Sequence, residues 1–557
     1  MQLLDWFVLL ITLLAIVLYG VWKTKGSTNV EDYIGGGRKS NWWTIGLSVM
    51  ATQASAITFL STPGQAFHSG MGFVQFYFGI PIAMIVVCMV FIPIYLKLKV
   101  YTVYEFLESR FDLKTRTLTA ILFLVQRGLA AGITIFAPAI ILSAVLGWNL
   151  TLLNFIIGVL VIIYTVSGGT EAVSVTQKQQ MGIIFLGMFI AFFLILQYLP
   201  EDVGFVKALS IAGISERMKI LDFSFDLSNR YTVWTGLIGG TFLMLSYFGT
   251  DQSQAQRYLS GKSVRESQLG LLFNGIVKVP MQFFILLTGI MVFVFYQFHN
   301  TPLNFNPAAE KAVLASPLSQ SYLELQENLH TVQNQKEALL LSNVNSLNTV
   351  SAELKELETS EKDIREQGKA YIKQADNQVE TNDKDYVFIH FILHNLPVGL
   401  VGLLLAVILS AAMSSTASEL NALAATTTID LYQRNQIEAK DDTHYVKMTK
   451  WFTVGWGGIA ILVACFANLF DNLIQLVNII GSIFYGNILG IFLLAFFITF
   501  VKSNAVFWGA IITQMIVLVV WWLDWLPFLW LNALGCILVM LISMSIQTMA
   551  RSKTLKN

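Results

Sequence analysis

The stretch Ser410-Ala-Ala-Met-Ser-Ser-Thr-Ala-Ser-Glu-Leu-Asn421 decides how this chain is read. It lies inside a long apolar segment from Leu396 to about Tyr432. Hydroxyls cluster at Ser410, Ser414, Ser415, Thr416 and Ser418, with Glu419 and Asn421 close behind. Small residues let helix backbones approach closely, and any single hydroxyl can serve as a bond between helices. A dense set beside an acid is a different matter. Ionisable groups at membrane depth are costly and mark a solute or ion path.

Outward from this stretch, the whole chain is apolar. Its 557 residues are 55% hydrophobic and 13% charged, with mean hydropathy +0.63. Soluble chains carry about 25% charged residues, so the composition is that of an all-α polytopic membrane protein. The formal net charge is zero and implies no nucleic-acid partner. Cys88, Cys465 and Cys536 sit in apolar runs and read as small buried hydrophobes without a disulfide. The six histidines are scattered, with no metal-type cluster. No convergent nucleophile, base or metal set points to an enzyme. Asp5 stands where a cleavable signal would be basic, and Lys23 and Lys25 follow the apolar run. The N-terminus therefore reads as a retained first helix.

A spanning helix needs ~20 mostly apolar residues. About thirteen candidates lie near 4–22, 41–62, 71–97, 117–147, 149–167, 179–199, 231–250, 270–297, 396–430, 446–469, 473–500, 503–523 and 525–548. Lysine and arginine concentrate in one set of alternating loops, among them Arg38 and Lys39, Lys97 to Arg116, Arg257 to Arg265, Arg434 and Lys440, Lys502, and Arg551 to Lys556. Positive loops face the cytoplasm. The N-terminus is then outside and the C-terminus inside, which an odd number of spans requires. The expected location is a cell membrane, plasma or inner.

The chain divides into transmembrane parts over 1–299 and 387–557 and a polar insertion over 300–386. The insertion carries Leu325, Leu329, Val332, Leu339, Leu347, Val350, Leu354, Leu357 and Ile364 at roughly helical spacing. It is expected to be an extracytoplasmic helical hairpin, either a packing accessory or a partner-binding cap. The second segment is interrupted by Ser55, Ser61, Thr62, Pro63 and Gly64. It either ends early or is a broken helix, a form tolerated at membrane depth where backbone lines a cavity.

Four stretches go beyond composition. The first is Ser27-Thr-Asn-Val-Glu-Asp-Tyr-Ile-Gly-Gly-Gly-Arg-Lys-Ser-Asn-Trp-Trp43, leading into Ala51-Thr-Gln-Ala-Ser-Ala-Ile-Thr58. The second is Tyr164-Thr-Val-Ser-Gly-Gly-Thr-Glu-Ala-Val173, running on through Thr176 and Gln177 to Gln180. The third is Tyr247-Phe-Gly-Thr-Asp-Gln-Ser-Gln-Ala-Gln-Arg-Tyr-Leu259, and the fourth is Ser410 to Asn421. In this order and spacing they resemble the sodium:solute symporter family, over nearly all of the chain except 300–386. The resemblance implies a LeuT-like fold of two inverted five-helix repeats, here segments two to six and seven to eleven. It also implies uptake of a small organic solute, such as a sugar, sialic acid or a monocarboxylate, driven by inward sodium flow through alternating access. Sodium is the coupling ion and no cofactor is implied. A transporter-shaped membrane sensor is the alternative, against which the tail of under ten residues after Met549 weighs.

By the family's motif, Ala51 and Ala54 would offer sodium their backbone carbonyls, Ala411 its carbonyl, and Ser414 and Ser415 their hydroxyls. Ser414 and Ser415 point ~100° apart on a helix, and they can flank one ion if the Ala411 carbonyl lies on the turn below. Where many members have Thr-Asp, this chain has Thr176-Gln177, which favours one sodium per solute. Candidate solute positions are Gln53, Ile57, Thr58, Asp251, Lys278 and Asn478. Ile57 and Thr58 replace a Glu-Gln pair of sugar-transporting members, and this weakens a sugar assignment. The run Ile135-Phe-Ala-Pro-Ala-Ile-Ile141 is similar to the monocarboxylate, iodide and multivitamin branch. Asp251 and Lys278 are either solute contacts or groups that reach water at helix ends. Arg127 is read as snorkelling, as a partner of Glu419, or as a contact to an anionic solute, and Gln475 and Tyr485 as polar handles.

Overall fold

The structure, a computed structural model, describes residues 2–23, 29–226, 229–377, 379–438, 440–466 and 473–554. Ser27 and Thr28 of the first motif, Lys25, Lys556 and the 467–469 end of the tenth segment lie outside the described residues. The described residues are helical and contain no strand, only an isolated bridge between Ser40 and Gly261. Among the described residues, ten helices are long and apolar enough to cross a membrane, or eleven if one bent pair counts as a single span. The expected first and seventh segments correspond to shorter apolar helices, Leu3–Ile16 and Thr235–Gly249.

The elements that build the site are α1 (Leu3–Lys23), α2 (Trp42–Gln53), α3 (Ala56–Ser69), α4 (Leu113–Leu146), α5 (Leu150–Gln197), α6 (Gly240–Gly249), α7 (Gln252–Leu259), α8 (Val264–Phe295), α9 (Ser319–Ser342), α10 (Ser351–Ala375), α11 (Leu400–Thr426) and α12 (Leu473–Phe497). α11 is buried along almost its whole length, between α4, α5 and the broken pair α2/α3.

Two spans are discontinuous. α2 and α3 meet at an angle of 60°. At the joint, Ala54 has φ −86° and ψ 74°, and the Ser55 N–H turns back to the Gln53 carbonyl at 3.1 Å. The helical partner of the Ala51 carbonyl is thereby withdrawn. The interruption was expected to extend over Ser61, Thr62, Pro63 and Gly64 as well, but these four are helical within α3. Proline inside a membrane helix is accommodated when neighbouring helices pack against it, and Gly289 of α8 lies directly on the Pro63 backbone. Gly64 serves a close approach, since a β-carbon there would collide with the carbonyl of Lys384.

The second break separates α6 from α7 at Thr250 and Asp251, where Asp251 is extended and caps the Ser253 N–H at 2.9 Å. The first break falls inside the second expected segment; the other falls at the end of the seventh, expected to close near 250 but continued by α7 to Leu259. α5 runs through the fifth and sixth segments with one kink at Gly169 (φ 58°, ψ −162°). Tyr33 packs so closely there that a side chain at 169 would meet it. In the insertion, α9 and α10 form a hairpin around Leu325, Leu329 and Ile372, closed by Leu303, Val313 and Tyr322. Leu347 and Leu354 join the main core instead.

Candidate functional site

Where the α2/α3 break faces α11, backbone carbonyls meet hydroxyls. Ser414 Oγ lies 3.4 Å from the carbonyl of Ala51. One residue on, Ser415 Oγ donates to the carbonyls of Ala411 at 3.1 Å and Ala412 at 3.2 Å. Ala51, Ala54, Ala411, Ser414 and Ser415 are all buried. The five residues named from the sequence therefore lie at one junction: Ala51 and Ala54 at the end of α2, and the other three on consecutive turns of α11.

Gln177 of α5 closes the far side of this junction. Its Oε1 accepts from Ser48 Oγ at 2.5 Å. Its Nε2 donates to Ser418 Oγ at 2.9 Å, Thr52 Oγ1 at 3.1 Å and the Ser414 carbonyl at 3.4 Å. Donors of an amide nitrogen thus point where a carboxylate would present acceptors. From there the polar contacts continue away from the insertion. Ser48 Oγ meets Ser174 Oγ at 3.3 Å, and Ser174 Oγ accepts from Arg257 at 3.2 Å. Asn421 donates to Thr170 at 2.7 Å, and Gln256 Nε2 donates to Thr170 Oγ1 and to the Ile34 carbonyl, each at 2.7 Å. All four sequence motifs converge in this one network. In the sequence they are separate signatures, and nothing in them signals that the first contributes a backbone carbonyl, at Ile34, to the second and third.

Toward the insertion a cavity opens at the break. Its walls include Gln53, Ile57 and Thr58 from the joint, Phe76 and Tyr77, Met244 and Tyr247 from α6, and Asn478 and Tyr485 from α12. On one side a charged cluster is buried at membrane depth. Arg127 of α4 donates through Nη1 to Glu419 at 3.0 Å and through Nη2 to Asp251 and to Tyr485 OH, the latter at 2.5 Å. Tyr485 OH donates to Asp251 at 2.9 Å, and Thr134 donates to Glu419 at 2.8 Å. The arginine also lies over the Tyr247 ring, 5.5 Å from its centroid. Arg127 is therefore neither snorkelling nor at a helix end. It joins α4, α6, α11 and α12 at the break.

Of the solute candidates, Gln53, Ile57, Thr58 and Asn478 line the cavity. Asp251 stands one layer back, fully buried and bound to Arg127, and does not reach water at a helix end. Lys278 of α8 is fully buried, so it does not snorkel. It is absent from the cavity wall, and its Nζ has no hydrogen-bond partner among the described residues. Gln282, one turn beyond Lys278, does line the cavity. A spacing of four residues from Lys278 is the sequence signal that would have found it. Gln475 is turned aside to Arg230 at 3.1 Å.

Comparison with known proteins agrees with this architecture. The family model described as "Sodium:solute symporter family" matches residues 33–344 and 370–513. The match enters the insertion and pauses only inside it. Sodium-coupled monocarboxylate transporter 1 of Xenopus laevis is 27% identical over 498 residues, 89% of this chain and 68% of the relative. The sodium/iodide cotransporter of Homo sapiens is 30% identical over 299 residues, 52% of this chain and 45% of the relative. Sodium-coupled monocarboxylate transporter 2 of Mus musculus is 32% identical over 252 residues, 45% and 40% of the two chains. The alignments thus span about two thirds of the first relative and under half of the other two. A substrate-bound, outward-open structure of a sodium-coupled sialic acid symporter superposes with TM-score 0.77 at 22% identity over 98% of both chains, which shows a shared LeuT-like fold. With two broken spans flanking a cavity, and a family match along most of its length, this chain belongs to the sodium:solute symporter family, as a multi-span transporter of cell membranes and not an enzyme.

Proposed function

We propose that this symporter carries a small monocarboxylate-like solute with one sodium ion per turnover. Sodium would be held by the carbonyls of Ala51, Ala54 and Ala411 and the hydroxyls of Ser414 and Ser415. A hard monovalent cation is well served by neutral oxygens that replace its water. The observation that carries the reading is the Ala51 carbonyl, stripped of its helical partner by the break and 3.4 Å from Ser414 Oγ. An ion there ties α2 to α11. Ser415, which already lines the solute cavity, would turn its hydroxyl oxygen toward the ion and give up its bonds within α11.

The solute reading rests on the cavity wall. Phe76, Tyr77, Leu243, Met244, Ile57, Ile474 and Val477 make it largely apolar, with the neutral donors Gln53, Thr58, Gln282 and Asn478 interspersed. A sugar presents hydroxyls on every side that each need a partner, and the apolar stretches of this wall favour a solute with a single polar end. A short carboxylate needs one polar end and one apolar end. Arg127 is the cation at the wall, where its bound partner Glu419 also stands, and its Nε has no partner among the described residues. Gln177 favours a single sodium because its amide donors occupy the space beside Ser418 and the Ser414 carbonyl.

The coupling has an energetic consequence. One sodium with one monoanion moves no net charge. A tenfold sodium gradient then contributes ~1.4 kcal/mol, a tenfold accumulation, and the membrane potential adds nothing. A neutral solute would gain a further ~2.3 kcal/mol per 100 mV. For orientation, we read the N-terminus as outside and the C-terminus as cytoplasmic. The basic loops support this. Arg38 donates to the Lys99 carbonyl at 2.6 Å, Arg110 to the Ile498 carbonyl at 3.1 Å, and Arg434 pairs with Glu108 at 2.7 Å, so these loops share one end of the bundle.

The test is uptake into proteoliposomes of a panel of monocarboxylates, sugars, sialic acid, inositol and amino acids, with an inward sodium gradient and with choline in its place. Sodium-dependent accumulation of a monocarboxylate, insensitive to an imposed potential, is the expected result. Accumulation of a sugar alone would overturn the solute assignment, and equal uptake in both salts would overturn the coupling. Binding without transport would favour a sensor.

A further inference from the structure

The end of the bundle opposite the insertion is closed by a buried cation that has no carboxylate. Arg257 of α7 is fully buried. Its guanidinium finds only neutral acceptors: Ser174 Oγ at 3.2 Å, Gln256 Oε1 at 3.3 Å and the Thr170 carbonyl at 3.4 Å. Its Nε has no partner among the described residues. Arg116 and Arg127, also buried, each hold two acids. Among the described residues Arg257 holds none.

A buried charge without a counter-ion is costly, so its position asks for a reason. Arg257 stands at the end of the polar run that begins at the sodium ligands. The run passes from Ser414 to Gln177 and Ser418, then to Ser48 and Ser174. These are neutral oxygens and amides, the kind of path a partly dehydrated sodium ion can follow. Beyond Arg257 the way is blocked by backbone. The Ile34 carbonyl takes Gln256 Nε2 at 2.7 Å and Thr170 Oγ1 at 2.8 Å. In a low-dielectric interior, an unscreened positive charge repels a cation far more strongly than it does in water.

We propose that Arg257 is the electrostatic stopper of the sodium exit. While the segment around Ile34 covers it, the guanidinium stays dry and sodium cannot leave by this end. When that segment lifts away, water reaches the guanidinium, screens it, and opens the path. Arg257 is a positioning residue in this scheme, since it touches neither sodium nor solute. The proposal rests on the sodium site read above.

The experiment measures efflux of radioactive sodium from proteoliposomes holding the full chain, with no solute present. Arg257→Gln removes the charge and is expected to raise this leak about tenfold, equivalent to ~1.4 kcal/mol of barrier. Arg257→Lys keeps the charge and is expected to leak several-fold less than the glutamine variant. Equal leaks in the two variants, or no rise in Arg257→Gln, would overturn the proposal and leave Arg257 as a packing group.

Should the glutamine variant not fold, Arg257→His supplies the same comparison within one protein. Histidine titrates between pH 5 and 8. Its leak is expected to be several-fold greater at pH 8, where the ring is neutral, than at pH 5.5. A leak that does not change with pH beyond the wild-type trend would overturn the proposal. Failure of the underlying site is seen separately: Ser414→Ala with unchanged sodium dependence of uptake refutes the site, whatever the leak does.

Discussion

Ser414 Oγ lies 3.4 Å from the Ala51 carbonyl, across the gap between α11 and the end of α2. Neither group has a better partner on its own helix. Ser55, which would otherwise donate to Ala51, has turned to Gln53. Replacing Ser414 or Ser415 with alanine removes one neutral oxygen from the proposed ion and leaves the backbone carbonyls in place. Loss of one charge-assisted contact is worth about 1.5–3 kcal/mol, or a rise of roughly 10- to 100-fold in the sodium concentration for half-maximal uptake. The check is the sodium dependence of uptake in each variant, alongside thermal unfolding. Both variants are expected to fold, because each removes a hydroxyl that bonds mainly to backbone.

Gln177 makes a sharper test. Its amide is surrounded by Ser48, Thr52 and Ser418 hydroxyls and the Ser414 carbonyl. A carboxylate at that position would bring negative charge and remove the NH2 donors, leaving three hydroxyls and one carbonyl free to face a cation. Gln177→Asp is therefore expected to admit a second sodium ion. Two readouts should move together: the Hill coefficient for sodium rises from about 1 toward 2, and uptake of a monoanion becomes sensitive to membrane potential. A variant that stays electroneutral would mean the shorter side chain leaves the position hydrated and not ion-bound.

How much of this was legible in the sequence follows from what each signal depends on. The hydroxyl cluster of α11 and the break near Ser55 are local features, and both point to the junction where Ser414 Oγ meets the Ala51 carbonyl. The break was read too broadly because Pro63 and Gly64 look like helix breakers in isolation. Their actual setting, against Gly289 and Lys384, comes from residues more than two hundred positions away. Asp251 and Lys278 could not be separated by sequence. Both are lone charges in apolar surroundings, and only packing shows that Asp251 meets Arg127 while Lys278 is buried outside the cavity lining. The network joining Ile34, Thr170, Gln256 and Asn421 was invisible for the same reason: each contact spans a different pair of motifs.

Arg127 is predicted to be needed for folding before it is needed for transport. It neutralises Asp251 and Glu419, both buried. Arg127→Met would leave two unpaired carboxylates in the core of the bundle. Breaking a buried pair of this kind costs about 3–5 kcal/mol. The expected outcome is poor accumulation in the membrane and a lowered melting temperature in detergent. Adding Glu419→Gln to Arg127→Met should restore part of that stability by removing one of the stranded charges. Restoration in the double variant distinguishes charge burial from simple loss of arginine packing.

The insertion offers a prediction in acid. Glu361 of α10 accepts from Lys336 at 2.8 Å and pairs with Arg365 at 3.0 Å, and Gln333 donates to it at 3.3 Å. Burial alone would raise its pKa, but Lys336 and Arg365 outweigh burial and hold it at about 2, below an ordinary value of 4.5. The folded carboxylate thus binds a proton less readily than the unfolded one. Its stabilisation is complete above pH 4.5 and is lost as pH falls from there toward 2, a loss of at most about 3 kcal/mol. Hydrogen exchange across α9 and α10, corrected for intrinsic rates, should show protection falling over that window. Glu361→Gln should lower protection at neutral pH and flatten its decline in acid. Wild-type protection that stays level down to pH 3 would show that the hairpin is held by its apolar face around Leu325, Leu329 and Ile372, with the ion pairs contributing little.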